Sequence, residues 1–356
     1  MRPFVLFFYR WLSVAKSSRA NSLRQPSKSW NSKGFTLLEL LISLFIASLI
    51  ISGLLYLVVE LTKADKRESN LDQVQRDISR AMEYIVNDLQ EAVYVYPNPE
   101  TVTDYLIGDP SFPIDSDPDP DTVPVLAFWR IDPIEDGDLP SCDSSMTTDV
   151  LQECELLRIR QAAYTLVVYA QRINDETDST WSGQSRIIRY ELTKYNSTIP
   201  ADLTTRDGYR DPTNPTDPLA SFETWQPDPV GTAPRGSSAV LTDYVQAPSF
   251  LPPVALNRQP LSDGCLGYGT DGTNPLYLIT PSTATTTENN SFFACVRNPE
   301  IGAAVTRANQ DVYVFLRGNV QSVSGGGVRG FSDRTSLPIL ETQVAVKGVI
   351  NKGFNE

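Results

Sequence analysis

The feature that most constrains this chain is an apolar run near its N-terminus, Phe35–Val59. These 25 residues contain no Lys, Arg, Asp or Pro, and Glu39 is their only carboxylate. An α-helix of this length crosses the ~30 Å hydrocarbon core of a bilayer. A carboxylate inside a membrane segment is costly unless it is paired. The sequence therefore predicts a membrane helix in which Glu39 has a functional role and a cationic partner.

The residues before this run determine its orientation and its processing. Residues 1–34 carry seven Lys and Arg side chains and no acid, so the positive-inside rule keeps this leader in the cytoplasm and places the rest outside. A secretory signal is cleaved after its apolar core, whereas here the small residue, Gly34, stands before it. Cleavage after Gly34 would retain the helix and create an α-amine on Phe35, one turn from Glu39. The alternative is an uncleaved signal anchor with Glu39 reaching the interface.

The junction Lys33-Gly34-Phe35-Thr36-Leu37-Leu38-Glu39 resembles that of the type IV pilin family, which includes the pseudopilins of type II secretion. The resemblance implies that a prepilin peptidase cleaves between Gly34 and Phe35 and that Phe35 is then N-methylated. It implies that Glu39 meets the N-terminal amine of a neighbouring subunit during assembly. The implied partners are the prepilin peptidase, other major and minor pilins, and an inner-membrane assembly platform. The implied location is a single span of the inner membrane with a periplasmic or extracellular head, followed by a pilus or pseudopilus.

Segments beyond the junction are similar to the cyanobacterial hormogonium polysaccharide secretion pseudopilins, which are of the same general type as the PilW and J-type minor subunits. The similar segments are residues 53–61, 91–96, 124–129, 164–169 and 310–319. This resemblance implies a low-copy minor pseudopilin used in polysaccharide secretion and gliding motility.

A second apolar pattern continues the helix beyond the membrane run. Apolar residues recur at three- and four-residue steps from Leu71 to Val93, and Pro97 and Pro99 end the pattern. We expect residues 35–59 to be the membrane and assembly half of one long helix and residues 60–96 to be its amphipathic half. The stripe predicts packing on a sheet; the alternative is a free coiled coil.

Residues 97–356 have the pattern of a β-rich extracytoplasmic head. Runs rich in β-branched and aromatic residues alternate with loops rich in Asp, Pro, Gly, Ser and Thr. The predicted strands are residues 124–131, 164–173, 186–193, 240–245, 276–280, 291–296, 311–317 and 337–349. The prediction is an α+β, pilin-like lollipop, whose long N-terminal helix packs on an antiparallel sheet with long loop insertions.

Charge and composition favour an assembly subunit over other classes of protein. The net charge is −13, and because the leader is basic the rest of the chain is more acidic still, which argues against a nucleic-acid partner. Histidine is absent, which removes the commonest general base and metal ligand, so we expect no enzyme and no cofactor. Two alternatives remain: an anchored periplasmic enzyme, or a pilin-tethered head that binds polysaccharide or a surface through Trp181 and Trp225. Such aromatics more often pack under their own loops, which is the main expectation for these two.

The four cysteines, Cys142, Cys154, Cys265 and Cys295, all follow the membrane run and allow three disulfide connectivities. In an oxidising compartment the closest-spaced pairing, 142 with 154 and 265 with 295, is preferred. Unpaired buried thiols are the alternative. No Cys-x-x-Cys pair is present, so a cysteine metal site is not expected.

Two loops have patterns that weakly suggest ligand binding. Four aspartates alternate along the first loop: Asp115, Asp117, Asp119 and Asp121. They resemble the first ligands of a calcium loop, but Pro120 replaces the glycine and Leu126 the bidentate glutamate. A solvated acidic loop is the main expectation, with calcium as the alternative. The glycine-rich residues 324–330 lack the Lys-Ser/Thr of a phosphate loop, and a flexible tip or linker is expected there.

Overall fold

The computed structural model describes residues 34–114, 121–175, 180–181, 183–196, 199–214, 217, 219–228, 235–247, 264–271, 274–282, 291–299, 309–319 and 339–349. The chain divides into two compact units, Met1–Thr62 and Lys63–Glu356. Helix α1, Leu37–Gln90, contributes residues to both. The long N-terminal helix followed by antiparallel sheets confirms the predicted α+β, pilin-like layout.

In the second unit, the predicted stripe of α1 is buried. Val74, Ile78, Met82, Ile85 and Leu89 are at most 5% exposed. Because these residues recur every three or four positions, they lie on one side of the helix. The polar residues between them are mostly exposed.

Helix α1 ends at Gln90, and the expectation that it continues to residue 96 is wrong. Residues Ala92–Val95 form strand β1 instead. This segment alternates β-branched and aromatic side chains, which suit a pleated edge better than a helix. Val93, assigned from the sequence to the helical stripe, therefore lies in a strand.

The head has two antiparallel sheets in which strands consecutive in the chain are neighbours. The first sheet has the order β1-β2-β3-β4-β5, with β2 at Thr122–Pro133, β3 at Ala162–Ile173, β4 at Ser185–Leu192 and β5 at Ser237–Val245. The second has the order β11-β10-β9-β8, with β8 at Tyr277–Thr280, β9 at Phe292–Arg297, β10 at Asn309–Arg317 and β11 at Ile339–Val349. A short pair, β6 (Thr270–Asp271) and β7 (Asn274–Pro275), stands apart. Every strand predicted from the sequence coincides with an observed strand.

The main core joins the buried stripe of α1 to both sheets. The first sheet contributes Val125, Leu126, Phe128, Val167, Tyr169 and Ile187, and the second contributes Phe292, Ala294, Val296, Val312, Val314, Leu316, Val344 and Val346. The opposite face of the first sheet is also covered, because Trp129 packs there against Trp225 from a long loop. Loop insertions therefore serve as a second layer over this sheet.

The two sheets are linked by hydrogen bonds as well as by the core. Val245 of β5 forms an isolated antiparallel bridge with Gly318 after β10. On the other side, the buried amide of Gln310 accepts from the Val95 N–H at 2.9 Å and donates to the Val95 carbonyl at 2.7 Å. The Gln310 side chain thus pairs with the backbone N–H and carbonyl at the edge of β1, as a neighbouring strand would.

Two short helices were not predicted. Helix α2 is Glu100–Thr103 and α3 is Thr148–Arg160. Val150, Cys154 and Leu157 of α3 pack in one small cluster at i, i+4 and i+7, a stripe too short to have indicated a helix from the sequence. Lys194, 5% exposed at its side chain, forms an ion pair with Glu153 of this helix and a second one, at 2.7 Å, with Asp211 of a loop.

Candidate assembly site

Thr36 caps the N-terminus of helix α1. Its hydroxyl oxygen accepts the backbone N–H of Glu39 at 3.3 Å, and its carbonyl accepts the N–H of Leu40 at 3.2 Å. A threonine cap followed three residues later by glutamate is the signature of a capping box. The predicted cleavage bond, between Gly34 and Phe35, lies in the non-helical residues just before this cap.

Glu39 occupies the first turn of α1. The unpaired N–H groups of a helix N-terminus give it partial positive charge, which favours a carboxylate there. The Glu39 side chain is exposed, like that of every residue described from Gly34 to Thr62. It is thus held near Phe35 by the helix and remains accessible to a cation from outside the chain.

The first half of α1 exposes a continuous apolar surface. Phe35 is 80% exposed and Leu37 85%, and every large apolar side chain from there to Leu61 is at least 49% exposed. By length and composition, Leu37–Gln90 is the one helix among the described residues that could cross a membrane. The hydroxyls of Ser43 and Ser48 donate to carbonyls three residues earlier, which satisfies them within an apolar surrounding. Such a surface requires lipid or protein to cover it.

The comparisons with known proteins support the interpretation of this site. Residues 31–55 match the family model for the prokaryotic N-terminal methylation motif, which spans the junction and most of the apolar run. The motif indicates a type IV pilin or pseudopilin that is processed by prepilin peptidase. No curated protein and no solved structure matches the chain.

A buried ionic cluster, which the sequence did not reveal, fixes the end of α1 to the first sheet. Asp88 is 6% exposed. Its carboxylate lies 2.5 Å from Nη1 of Arg130 on β2 and 2.7 Å from Nε of Arg189 on β4, and it accepts the Tyr169 hydroxyl of β3 at 2.7 Å. One helical carboxylate therefore binds three adjacent strands. We name Asp88, Arg130, Tyr169 and Arg189 the Asp88 cluster.

The environment of the Asp88 cluster changes the protonation of its members. Burial raises the pKa of the Tyr169 phenol well above its usual value, and the charge of Asp88 raises it further. Burial lowers the pKa of the Arg189 guanidinium, but its contacts with Asp88 and Glu191 outweigh this and hold the pKa above its usual range. The guanidinium and the phenolic proton are therefore both retained at any physiological pH. No sequence periodicity indicates such a cluster, because its members are far apart in the chain.

Both disulfides have the closest-spaced pairing that the sequence favoured. Cys142 pairs with Cys154 across the segment that leads into α3, with a Cα–Cα distance of 5.8 Å. Cys265 pairs with Cys295 of β9, with a Cα–Cα distance of 5.7 Å. Each bond thus attaches a loop insertion to the sheet or helix beside it.

The structure buries one of the two tryptophans considered as binding residues and leaves the other partly exposed. Trp225 is 1% exposed, packs against Trp129, and donates its indole N–H to the Arg210 carbonyl at 2.8 Å. Trp181 is only partly exposed, and the Arg186 guanidinium lies 5.0 Å from its ring centroid. Trp225 therefore packs under its own loop, as the sequence led us to expect.

The aspartate and glycine loops that weakly suggested ligand binding lie largely outside the residues that the structure describes. Asp115, Asp117 and Asp119 lie outside the described residues, as do residues 324–330. Asp121 is described, is exposed, and uses its carbonyl to accept the Ile173 N–H at 2.8 Å. Within the described ranges, no three His, Cys, Asp or Glu side chains are grouped as a metal site would need.

Proposed function

We propose that this protein is a minor pseudopilin, assembled with other pilins into a pseudopilus that drives secretion of a polysaccharide and the associated gliding motility. The observation that carries the proposal is the exposed apolar half of α1, with its single carboxylate one turn from the predicted new N-terminus. The methylation motif over residues 31–55 supports the same conclusion.

The assembly step exchanges one apolar environment for another. In the membrane, lipid covers Phe35–Val59; in a filament, the same surface of neighbouring subunits replaces the lipid. Head-to-tail contacts that do not close into a ring produce an open helical filament. The proposed subunit has an inner-membrane stage, with its leader in the cytoplasm and its head outside, and then a filament stage.

Glu39 sets the register of this exchange in the proposal. Burying its charge between helices is unfavourable unless a cation pairs with it. The methylated α-amine of Phe35 on a neighbouring subunit supplies that cation. A subunit that is displaced along the filament axis leaves Glu39 and the neighbouring α-amine without each other as partners. Charge pairing therefore favours the correct axial position of each subunit.

The head supports a minor rather than a bulk subunit. It carries two sheets, loop layers and two disulfides, which is a large structure to repeat at every position of a thin filament. The proposed role is structural and not catalytic, in keeping with a chain that lacks histidine. The polysaccharide assignment rests on the resemblance of the head segments and needs its own test.

Mass spectrometry of the mature N-terminus tests the processing step. The expected N-terminal residue is N-methylated Phe35. A protein that begins at Met1, or that is cut after the apolar run, would show that the proposal is wrong.

Substitution of Glu39 tests the assembly step. We expect Glu39→Ala to be processed normally but to enter sheared filaments at least tenfold less than the wild type, because a tenfold loss corresponds to ~1.4 kcal/mol and an unpaired charge costs more than that. Glu68→Ala is the matched control, since Glu68 is exposed on the same helix beyond the apolar run. Equal incorporation of Glu39→Ala and wild type would contradict the charge-pairing mechanism.

Measurement of exported polysaccharide tests the cargo. A strain that lacks this protein should retain its other pilins in the membrane but lose extracellular polysaccharide and gliding, and Glu39→Ala should reproduce that loss. Normal polysaccharide export in the absence of the protein would restrict the proposal to filament assembly alone.

A further inference from the structure

The outer face of the second sheet carries two arginines in contrasting environments. Side chains alternate along β10. Val312, Val314 and Leu316 belong to the core with α1. Phe315 packs on the other side, with Phe293 and the Cys265–Cys295 disulfide. Alternation places Arg317 on that outer side, and Arg297, two residues beyond Cys295 on β9, lies there too.

Arg297 is paired. Its Nη1 lies 3.5 Å from Oδ1 of Asp311 on the adjacent strand. The other oxygen of Asp311 accepts the Tyr277 hydroxyl at 2.6 Å and the Gln343 amide at 3.1 Å. At this end of the face, the cation is thus balanced by a carboxylate that two neighbours hold in place.

Arg317, at the other end, is more deeply buried and lacks such a partner. It is 4% exposed, and its Nε has no hydrogen-bond acceptor. Among the described residues, no carboxylate forms an ion pair with its guanidinium. The acid on the next strand, Glu341, instead accepts the Tyr268 hydroxyl at 2.8 Å.

An unpaired buried arginine is energetically unfavourable in the isolated head. Burial lowers the pKa of Arg317, and no charge contact opposes this effect. Arginine nevertheless stays protonated in proteins, so the desolvation cost of the cation remains. An oxyanion at this position would recover that cost, and the planar guanidinium is suited to grip a carboxylate by two parallel hydrogen bonds.

Arg317 lies close to one edge of the second sheet. Its cross-strand partner is Ile339 at the start of β11, which is 37% exposed. Strand β11 is the edge of this sheet, so the guanidinium lies one strand from the surface. The first sheet meets β11 at its other end, where a Cβ on Gly348 would lie 1.6 Å from the Val93 carbonyl, and it meets β10 at Arg317, whose carbonyl accepts the Gln246 N–H at 3.1 Å.

We propose that Arg317 binds a carboxylate of an acidic polysaccharide at the Ile339 end of the second sheet, as a local contact made against the net negative charge of the chain. The assignment of the anion to a polysaccharide rests on the proposed function; the need for an anion rests on Arg317 alone. A head that grips the exported polymer would couple movement of the pseudopilus to movement of its cargo.

Thermal unfolding of the full-length protein in detergent, followed by near-ultraviolet circular dichroism, tests the proposal. The probes are sodium polygalacturonate, neutral dextran and sodium sulfate, at matched ionic strength. We expect saturating polygalacturonate to raise the Tm of the wild type by at least about 4 °C, as binding at 100-fold excess over Kd would. Dextran and sulfate should give less than a quarter of this shift.

Substitution of each arginine by methionine distinguishes the role of Arg317 from that of Arg297. Arg317→Met keeps an apolar stem and removes the charge, so it should melt at or above the wild-type Tm without polymer and should lose the polymer response. Arg297→Met leaves Asp311 unpaired, so it should melt lower but keep the polymer response. Arg317→Lys retains the charge without the two-pronged geometry and should show a reduced shift.

Three results would overturn the proposal: no Tm shift in the wild type, an undiminished shift in Arg317→Met, or an equal shift with dextran or with sulfate. Incorporation of each variant into sheared filaments is measured in parallel and should stay at the wild-type level. If the wild-type protein itself is absent from sheared filaments, the proposed function is wrong. If it is incorporated normally but shows no Tm shift with the polymer, only the role of Arg317 is wrong.

Discussion

The two halves of α1 use one helix for opposite purposes. From Leu37 to Thr62 every residue is exposed and most side chains are apolar. From Lys63 to Gln90 the exposed residues are largely polar, and most of the apolar ones form one buried stripe that ends at Leu89. A surface that is apolar all round can be covered only from outside the chain, whereas a stripe is covered by the fold itself. The first half is therefore available for lipid and other subunits, and the second half fixes the head.

The largest expected effect separates processing from folding. Gly34→Leu places a bulky side chain at the predicted cleavage bond, and we expect unprocessed protein to replace the mature form almost completely. The head should be unaffected, because Gly34 is exposed and no atom lies within 4 Å of a Cβ placed there. Immunoblotting measures the size of the product, and circular dichroism checks the fold. Normal processing of this variant would show that the bond between Gly34 and Phe35 is not the cleavage site.

The next effect tests the Asp88 cluster. Asp88→Ala leaves two arginines and a phenol without their shared acceptor, and breaking a buried ion pair costs about 3–5 kcal/mol. We expect the free energy of unfolding, measured by denaturant titration of the mature protein, to fall by that amount. Asp77→Ala, which removes a more exposed carboxylate 3.9 Å from Arg80, is the control and should cost less than about 1 kcal/mol. Equal effects of the two substitutions would mean that the cluster does not hold the helix.

A pair of identical substitutions compares the two halves directly. Ile85 is fully buried and Ile50 is 58% exposed. Ile85→Ala should lower the free energy of unfolding of the head by about 2–5 kcal/mol, because it leaves a cavity in the core. Ile50→Ala should leave the head unchanged and instead reduce incorporation into filaments. A head that is destabilised equally by both would show that the two halves are not functionally distinct.

The features predicted from the sequence are those set by local pattern. The membrane run, the stripe from Leu71 to Leu89, and strands β2–β5 and β8–β11 follow from hydrophobic period, and the disulfides from cysteine spacing. The errors have the same origin. Val93 continued the helical period but lies in β1, because pairing with β2 outweighed the local pattern.

The Asp88 cluster and the Gln310 contact with Val95 could not be predicted from the sequence in this way. Each joins residues that are brought together only by the complete fold; Gln310 and Val95 are 215 positions apart. A polar residue on an amphipathic helix is normally solvated, so Asp88 differs from its neighbours only after the strands are in place. The burial of Trp225 was the expected outcome for such a residue, but its contact with Trp129 could not be predicted, since a long loop must first fold over β2.

The smallest expected effect concerns the exposed side of the second half. Arg80 is 77% exposed at its side chain, and its contact with Asp77 spans 3.9 Å in water. Such a pair contributes about 0–1 kcal/mol, so Arg80→Ala should leave the free energy of unfolding within that range and lose any effect at high salt. If Arg80→Ala instead reduces filament incorporation while the head remains stable, this polar side also contacts a neighbouring subunit. Both halves of α1 would then take part in assembly. They would differ only in that the second half also buries one face against the head.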